Sequence, residues 1–196
     1  MTKKSLIITS LLLIGTSAIA QSNSWYAGAT YGKTTVDTGI TNLTGSASLD
    51  EKDTGYKIFA GYKYNKNISL ELQYVDFGKS TVSGDNGDTY KQKNGSIVNF
   101  VEDNSIYTFD LKSYGISGLY SYPVSDNFIP FAKIGVHSWK SSWKTAINSK
   151  YDDTDMFYGL GVDIPITSNI SARVEYELYK ADYDLTFLSA GFVYSF

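Results

Sequence analysis

Nucleophilic catalysis needs a hydroxyl or thiol beside a base, and this chain of 196 residues has one histidine and no cysteine. His137 is followed directly by Ser138. On an extended backbone neighbouring side chains point to opposite faces, so the two cannot couple, and no motif marks a third group to orient the base. Two stretches gather carboxylates, SGDNGDTY (Ser83 to Tyr90) and YDDTD (Tyr151 to Asp155). A calcium site needs about six to eight organised oxygens, and neither stretch completes the EF-hand pattern. Both read as solvated loops, with loose bridging of divalent cations to lipid headgroups as the functional alternative. No catalytic residue, metal ligand or cofactor is assigned, and the chain is read as not an enzyme. Without cysteine, neither disulfides nor thiolate metal centres can stabilise it.

The elements carrying these residues are strands. The closing LSAGFVYSF places Leu188, Ala190, Phe192, Tyr194 and Phe196 on one face and Ser189, Gly191, Val193 and Ser195 on the other, the period of two of a β-strand. Similar alternation predicts strands over 25–34, 54–65, 68–78, 106–122, 128–140, 154–166, 169–180 and 184–196. No stretch of comparable length carries helical apolar spacing, so the fold class is all-β. Short turns (YNKNIS, YPVSDNFIP, PITSNIS) alternate with longer polar links over 34–53, 79–105 and 141–153; the last link, Ala181 to Tyr183, is tight. Short turns at one rim and long loops at the other describe an eight-stranded antiparallel up-and-down barrel of the transmembrane type. Within the longest link, the apolar SIVNFV predicts a hairpin turning at Asn94 and Gly95 and extending the barrel strands, with a partner-contact surface as the other reading.

Two lysines, an apolar run from Leu6 to Gly15 and the small pair Ala18 and Ala20 mark residues 1–20 as a cleavable signal peptide, leaving 21–196 as one outer-membrane barrel domain. An uncleaved anchor helix is the other reading. A net charge of −3 and a pI near 5.1 do not suit nucleic acid. The mean hydropathy of −0.19 does not argue against a membrane, because tilted strands of about ten residues cross one without a continuous apolar run.

Along the strands one face is lipid-compatible and the other charged. Tyr56, Ile58, Ala60, Tyr62 and Tyr64 oppose Lys57, Phe59, Gly61 and Lys63; Ala172, Val174, Tyr176 and Leu178 oppose Arg173, Glu175 and Glu177. Phe157 falls out of step. Alternation alone does not say which face is inside, and a secreted soluble barrel with an apolar ligand would invert it. Aromatic placement orients it. Trp25, Tyr64, Tyr122 and Phe196 cluster towards the short-turn rim, and Tyr31, Tyr74, Tyr107, Trp139, Trp143 and Tyr179 towards the loop rim, as two interfacial girdles.

With YPVSDNFIPFAKIGVHSW, GVDIPITSNISARVEYELY and LSAGFVYSF, the chain resembles the outer membrane protein A-like family of small eight-stranded barrels over most of its length. The resemblance implies that Phe192, Tyr194 and Phe196 act as the signal recognised by the outer-membrane assembly machinery. It implies an interior network of paired charges at Glu71, Asp163 and Arg173. The family's fourth-strand lysine position falls on Leu119, so Lys57, Lys63 and Lys133 stand as candidate substitutes. The periplasmic peptidoglycan-binding domain of outer membrane protein A is not expected here, since the chain stops at the last strand.

The function expected is that of an integral outer-membrane barrel with a structural or surface-interaction role. Its interior is plugged, its loops are extracellular, and outer-membrane lipids, lipopolysaccharide and an extracellular partner are its contacts. A lipid-modifying enzyme and a narrow channel are the alternatives, because some eight-stranded outer-membrane barrels act on lipids through His and Ser near the outer rim.

Overall fold

The computed structural model describes residues 24–144, 149–181 and 184–196; the expected signal peptide and anchor-helix reading lie outside the described residues. Eight long strands follow one another: β1 (Ser24–Asp37), β2 (Lys52–Lys63), β3 (Ile68–Gly84), β4 (Ser105–Ser121), β5 (Ile129–Lys144), β6 (Ser149–Pro165), β7 (Ile170–Tyr179) and β8 (Asp184–Ser195). Each pairs antiparallel with the next, and β8 returns to β1, with Tyr26 opposite Ser195 and Asp37 opposite Asp184. The ring leaves no free edge, as a wall facing hydrocarbon requires, because lipid offers no partner to an unpaired N–H or C=O.

The strands run further at the loop rim than local alternation predicts. β3 to β6 are 16 or 17 residues long, where a tilted crossing takes about 9–11, so they project beyond a bilayer. In β3 the predicted end at Gly78 is instead a bulge between Asp76 and Lys79 in the pairing with β4. Gly78 has a φ of +78°, and Asp53 accepts from the Lys79 amide at 2.7 Å. The extra residue shifts the inward set from odd to even positions: Val75 and Phe77 before it, Ser80 and Val82 after it, all buried.

Beyond the bulge the links fold into a cap. Ser48–Asp50 pairs with Thr81 to Ser83 of β3. Thr89–Lys91 pairs with Ile97–Asn99 in a hairpin turning through Asn94 and Gly95. That hairpin is a separate two-stranded sheet rather than an extension of the barrel strands, because its apolar face closes on Val82, Tyr90 and Phe100.

The two faces of the wall differ throughout. Leu70, Leu72, Ile116, Ile134, Val136, Leu160, Val174, Leu188 and Phe192 all point outward and exposed, while Lys57, Glu71, Lys133, Arg173, Glu175 and Glu177 are buried inside. In water such an apolar surface would drive association; in lipid it is the solvated face. Phe157, out of step in sequence, faces inward with Gly159, Gly161 and Asp163 and is fully buried.

Interior glycines make room for inward rings. A Cβ on Gly28 would stand 2.4 Å from the Phe59 ring and 2.6 Å from the Phe192 carbonyl, whereas one on outward-facing Gly118 would meet nothing within 4 Å. Gly28→Val is therefore expected to lower stability by about 1–3 kcal/mol through overpacking, read from urea midpoints of the barrel in lipid vesicles, with Gly118→Ala close to neutral. Equal midpoints for the two variants would contradict this packing.

Candidate functional site

β7 sends Arg173, Glu175, Glu177 and Tyr179 inward at alternate positions, so one strand supplies a column of charge along the lumen. Arg173 grips Asp163 on β6 with two bonds, Nε to Oδ1 at 2.7 Å and Nη2 to Oδ2 at 2.8 Å, and donates from Nη1 to Glu71 Oε2 on β3 at 2.8 Å. The planar fork of the guanidinium suits this bidentate geometry. Lys133 on β5 donates to Glu71 at 2.6 Å, Glu175 at 2.7 Å and Glu177 at 3.2 Å. Lys57 on β2 donates to Glu175 and to Glu177, the latter at 2.6 Å. Tyr26 on β1 adds a hydroxyl donor to Glu71 Oε2 at 3.1 Å.

Three cations thus face four carboxylates contributed by five strands. Leu119 on β4 stands directly opposite Lys133 on β5, and both are buried. Lys63 does not join the centre; it donates to Ser195 Oγ at 3.2 Å, with its ammonium 5.6 Å from the Tyr26 ring. Glu175 and Glu177, on the charged face in sequence, join the network beyond the positions the resemblance implies. The mark that reveals them is their step of two from Arg173.

Aromatic side chains close the cluster on both sides. Towards the short turns the Arg173 guanidinium lies 4.8 Å from the Phe59 ring centre and 4.7 Å from that of Phe131, with Tyr26, Leu119 and Val193 buried around it. Towards the loops, Val75, Phe77, Phe157, Tyr179, Leu185 and Phe187 form a second buried layer. In it Phe157 stacks on Tyr179 with ring centres 4.9 Å apart. The layer also holds His137, whose ring takes Ser113, not Ser138, as its hydroxyl partner, Nδ1 to Oγ 2.9 Å, while Nε2 lies 2.7 Å from the Lys180 carbonyl. Since a carbonyl only accepts, Nε2 carries the hydrogen and Ser113 donates to Nδ1.

The expected loop-rim girdle needs three corrections, at Tyr179, Trp139 and Tyr107. Tyr179 points into the barrel, fully buried, and accepts from Gln73 Nε2 at 2.7 Å; Trp139 is likewise buried and donates to Asp155 at 2.9 Å. Both hold inward register positions, which decide orientation whatever the side chain's liking for an interface. Outward at that rim stand Tyr56, Tyr74 and Tyr114, with ring centres 6.1 and 4.9 Å apart from one to the next. Directly beyond them Lys112 pairs with Asp76 at 3.2 Å. At the other rim Trp25, Tyr64 and Tyr122 are exposed, and Trp25 packs on Tyr62 at 5.1 Å. Phe192, Tyr194 and Phe196 also face outward. The side chain of Trp143 lies outside the described residues, and Tyr107 packs in the cap instead of facing lipid.

A family model described as outer membrane protein beta-barrel domain matches residues 6–196. Outer membrane protein A of Escherichia coli O157:H7 is 27% identical over 182 residues, covering 89% of this chain and 47% of that protein, so the chain spans about half the length of that relative. An uncharacterized protein of Haemophilus influenzae is 26% identical over 99% of each chain. Among solved structures, Neisserial surface protein A aligns with a TM-score of 0.58 at 18% identity, over 88% of this chain and 97% of that one. That likeness is one of fold.

Removing Lys133 leaves Glu71 and Glu175 short of a buried counter-charge. Lys133→Met is expected to destabilise the barrel by about 3–5 kcal/mol, with a lower urea midpoint in vesicles, while Lys63→Met changes it far less. A Lys133→Met midpoint matching the parent would remove Lys133 from the network.

Proposed function

This chain belongs to the outer membrane protein beta-barrel domain family and resides in the bacterial outer membrane, and from that premise we propose that it is a closed barrel with a structural or surface-interaction role, presenting its loop cap outside the cell. The observation that carries this reading is the sealed interior. Among the described residues, a charged cluster with Lys57, Lys133, Glu71, Glu175 and Glu177 nearly or wholly inaccessible fills the lumen between two aromatic layers, which argues against a path for a solute. An eight-stranded barrel is only wide enough for side chains to fill.

The same burial argues against enzymatic chemistry. Ser113 and His137 are at hydrogen-bond distance, but their exposures are 0% and 1%. The histidine's second nitrogen is spent on the Lys180 carbonyl, so the pair fastens strand β7 to the wall rather than meeting a lipid ester. We further propose that residues 1–20 are removed on export and that Phe192, Tyr194 and Phe196 present an outward aromatic signal to the assembly machinery. Lipopolysaccharide and phospholipid surround the wall. The cap carries Asp85, Asp88, Glu102 and Asp103 against Lys91 and Lys93, a balance that favours a neutral or basic extracellular partner over a polyanion.

The purified barrel in planar bilayers is expected to pass no sustained current above the lipid background. Stable conductance steps from the folded protein would replace the plugged reading with a channel.

The cap has its own acid limit. Ser46 donates to Asp85 at 2.7 Å and to Asp88 at 2.6 Å, and the Asn104 amide donates to Asp85 at 2.8 Å. These donors hold both carboxyls below their ordinary 3.8, the Asn104 amide first for Asp85 and the Ser46 hydroxyl first for Asp88. A lowered folded value means the bonds stabilise the cap above 3.8 and are lost as pH falls through the lowered values. Pepsin is therefore expected to spare residues 85–104 at about pH 5 and to cut them only in stronger acid. Ser46→Ala should move that onset upward; an unmoved onset would show that these carboxylates do not hold the cap.

A further inference from the structure

Leu70 of β3, Gly118 of β4 and Ile134 of β5 stand in one cross-strand row on the lipid-facing wall, Gly118 paired with both neighbours. Leu70 and Ile134 project from it, more than half exposed, while Gly118 leaves open space between them. The outcome is a groove of about 300 Å³ lined by Leu70, Ile116, Gly118, Ile134, Val136 and Met156. Water does not fill an apolar groove at that depth, and atoms left without neighbours forgo their dispersion contacts. The natural occupant is flexible and apolar.

The foot of the groove has a polar end. Ile68 begins β3 opposite Tyr120, Lys66 is exposed in the turn just before it, and the Ser121 amide donates to the Asn67 carbonyl at 2.7 Å, which brings exposed Tyr122 to the same rim. Lys66 precedes Leu70 by four residues, roughly 13 Å along an extended chain. An ammonium and a phenol at the short-turn interface thus stand within one lipid's reach of an apolar slot directed into the hydrocarbon. We propose that the Gly118 groove seats an acyl chain of a phospholipid in the leaflet at the short-turn rim, with the lipid phosphate met by Lys66 and Tyr122. The proposal rests on the barrel's residence in a bilayer. A second copy fits less well, since a stable interface buries on the order of 1,000 Å² and a convex wall offers little self-complementary area.

The test places the full barrel in vesicles of phosphatidylethanolamine and phosphatidylglycerol containing a phospholipid with a mid-chain diazirine, irradiates them and maps the adducts. Adducts are expected to concentrate on Leu70, Ile116, Gly118, Ile134, Val136 and Met156. Gly118→Leu, which fills open space, should reduce them several-fold while leaving labelling at Leu188 and Phe192 on the opposite wall unchanged. Lys66→Glu should also reduce them several-fold. Even labelling around the wall, indifferent to Gly118→Leu, would overturn the proposal, and selective protection of these residues while the rest of the wall is labelled would give the groove to a second copy. An absence of adducts anywhere on the wall would remove the membrane reading itself, a distinct result.

Discussion

Closure of the backbone ladder is the constraint on which the rest of this molecule depends. In hydrocarbon an unpaired amide or carbonyl costs several kcal/mol, so β8 must return to β1, as it does from Tyr26 opposite Ser195 to Asp37 opposite Asp184. Once eight strands close, the period of two divides the side chains into an outward set that must suit lipid and an inward set that must fill a narrow lumen. Gly28, Gly61, Gly135 and Gly161 belong to the second demand: a Cβ at each would strike an aromatic ring or a backbone carbonyl.

The lumen then sets a harder electrostatic problem than a surface would. Three cations and four carboxylates removed from water are tolerable only when each has several partners. Glu71 receives Lys133, Arg173 and Tyr26; Glu175 receives both lysines. Aromatic layers flank the cluster. Phe59 and Phe131 present ring faces to the guanidinium, a favourable contact for a desolvated cation, and Phe77, Phe157 and Phe187 belong to the buried layer on the loop side. This polar cluster stabilises the folded barrel only because it is closed and fully partnered.

Outside the membrane the same wall continues under different rules. The bulge at Gly78 reverses which residues of β3 face inward, and from that point Val82 serves the cap core with Tyr90 and Phe100 instead of the barrel plug. Strand length beyond the bilayer thus becomes a platform for polar loops, with apolar residues concentrated beneath them. The loop cap rests on a small core of its own.

Much of the fold was legible along the chain. Eight alternating stretches, the asymmetry of short and long links and the charged stripe of β7 all follow from local spacing, since a strand's two faces are written in consecutive residues. The girdle was less legible: Tyr179 and Trp139 have interfacial chemistry but inward parity, and parity decides. The bulge is not legible there because one glycine in a polar run carries no periodic signal, and the spacing of Glu175 and Glu177 shows a stripe but not their partners. Local spacing alone establishes a set of two-faced strands suited to a membrane. Strand pairing establishes that Lys133, opposite Leu119, enters the charged cluster, that Lys57 reaches residues as far along the chain as Glu177, and that Lys63 lies outside it. Those partnerships depend on strand register and on which strands face one another across the lumen, relations between distant segments that no local spacing encodes.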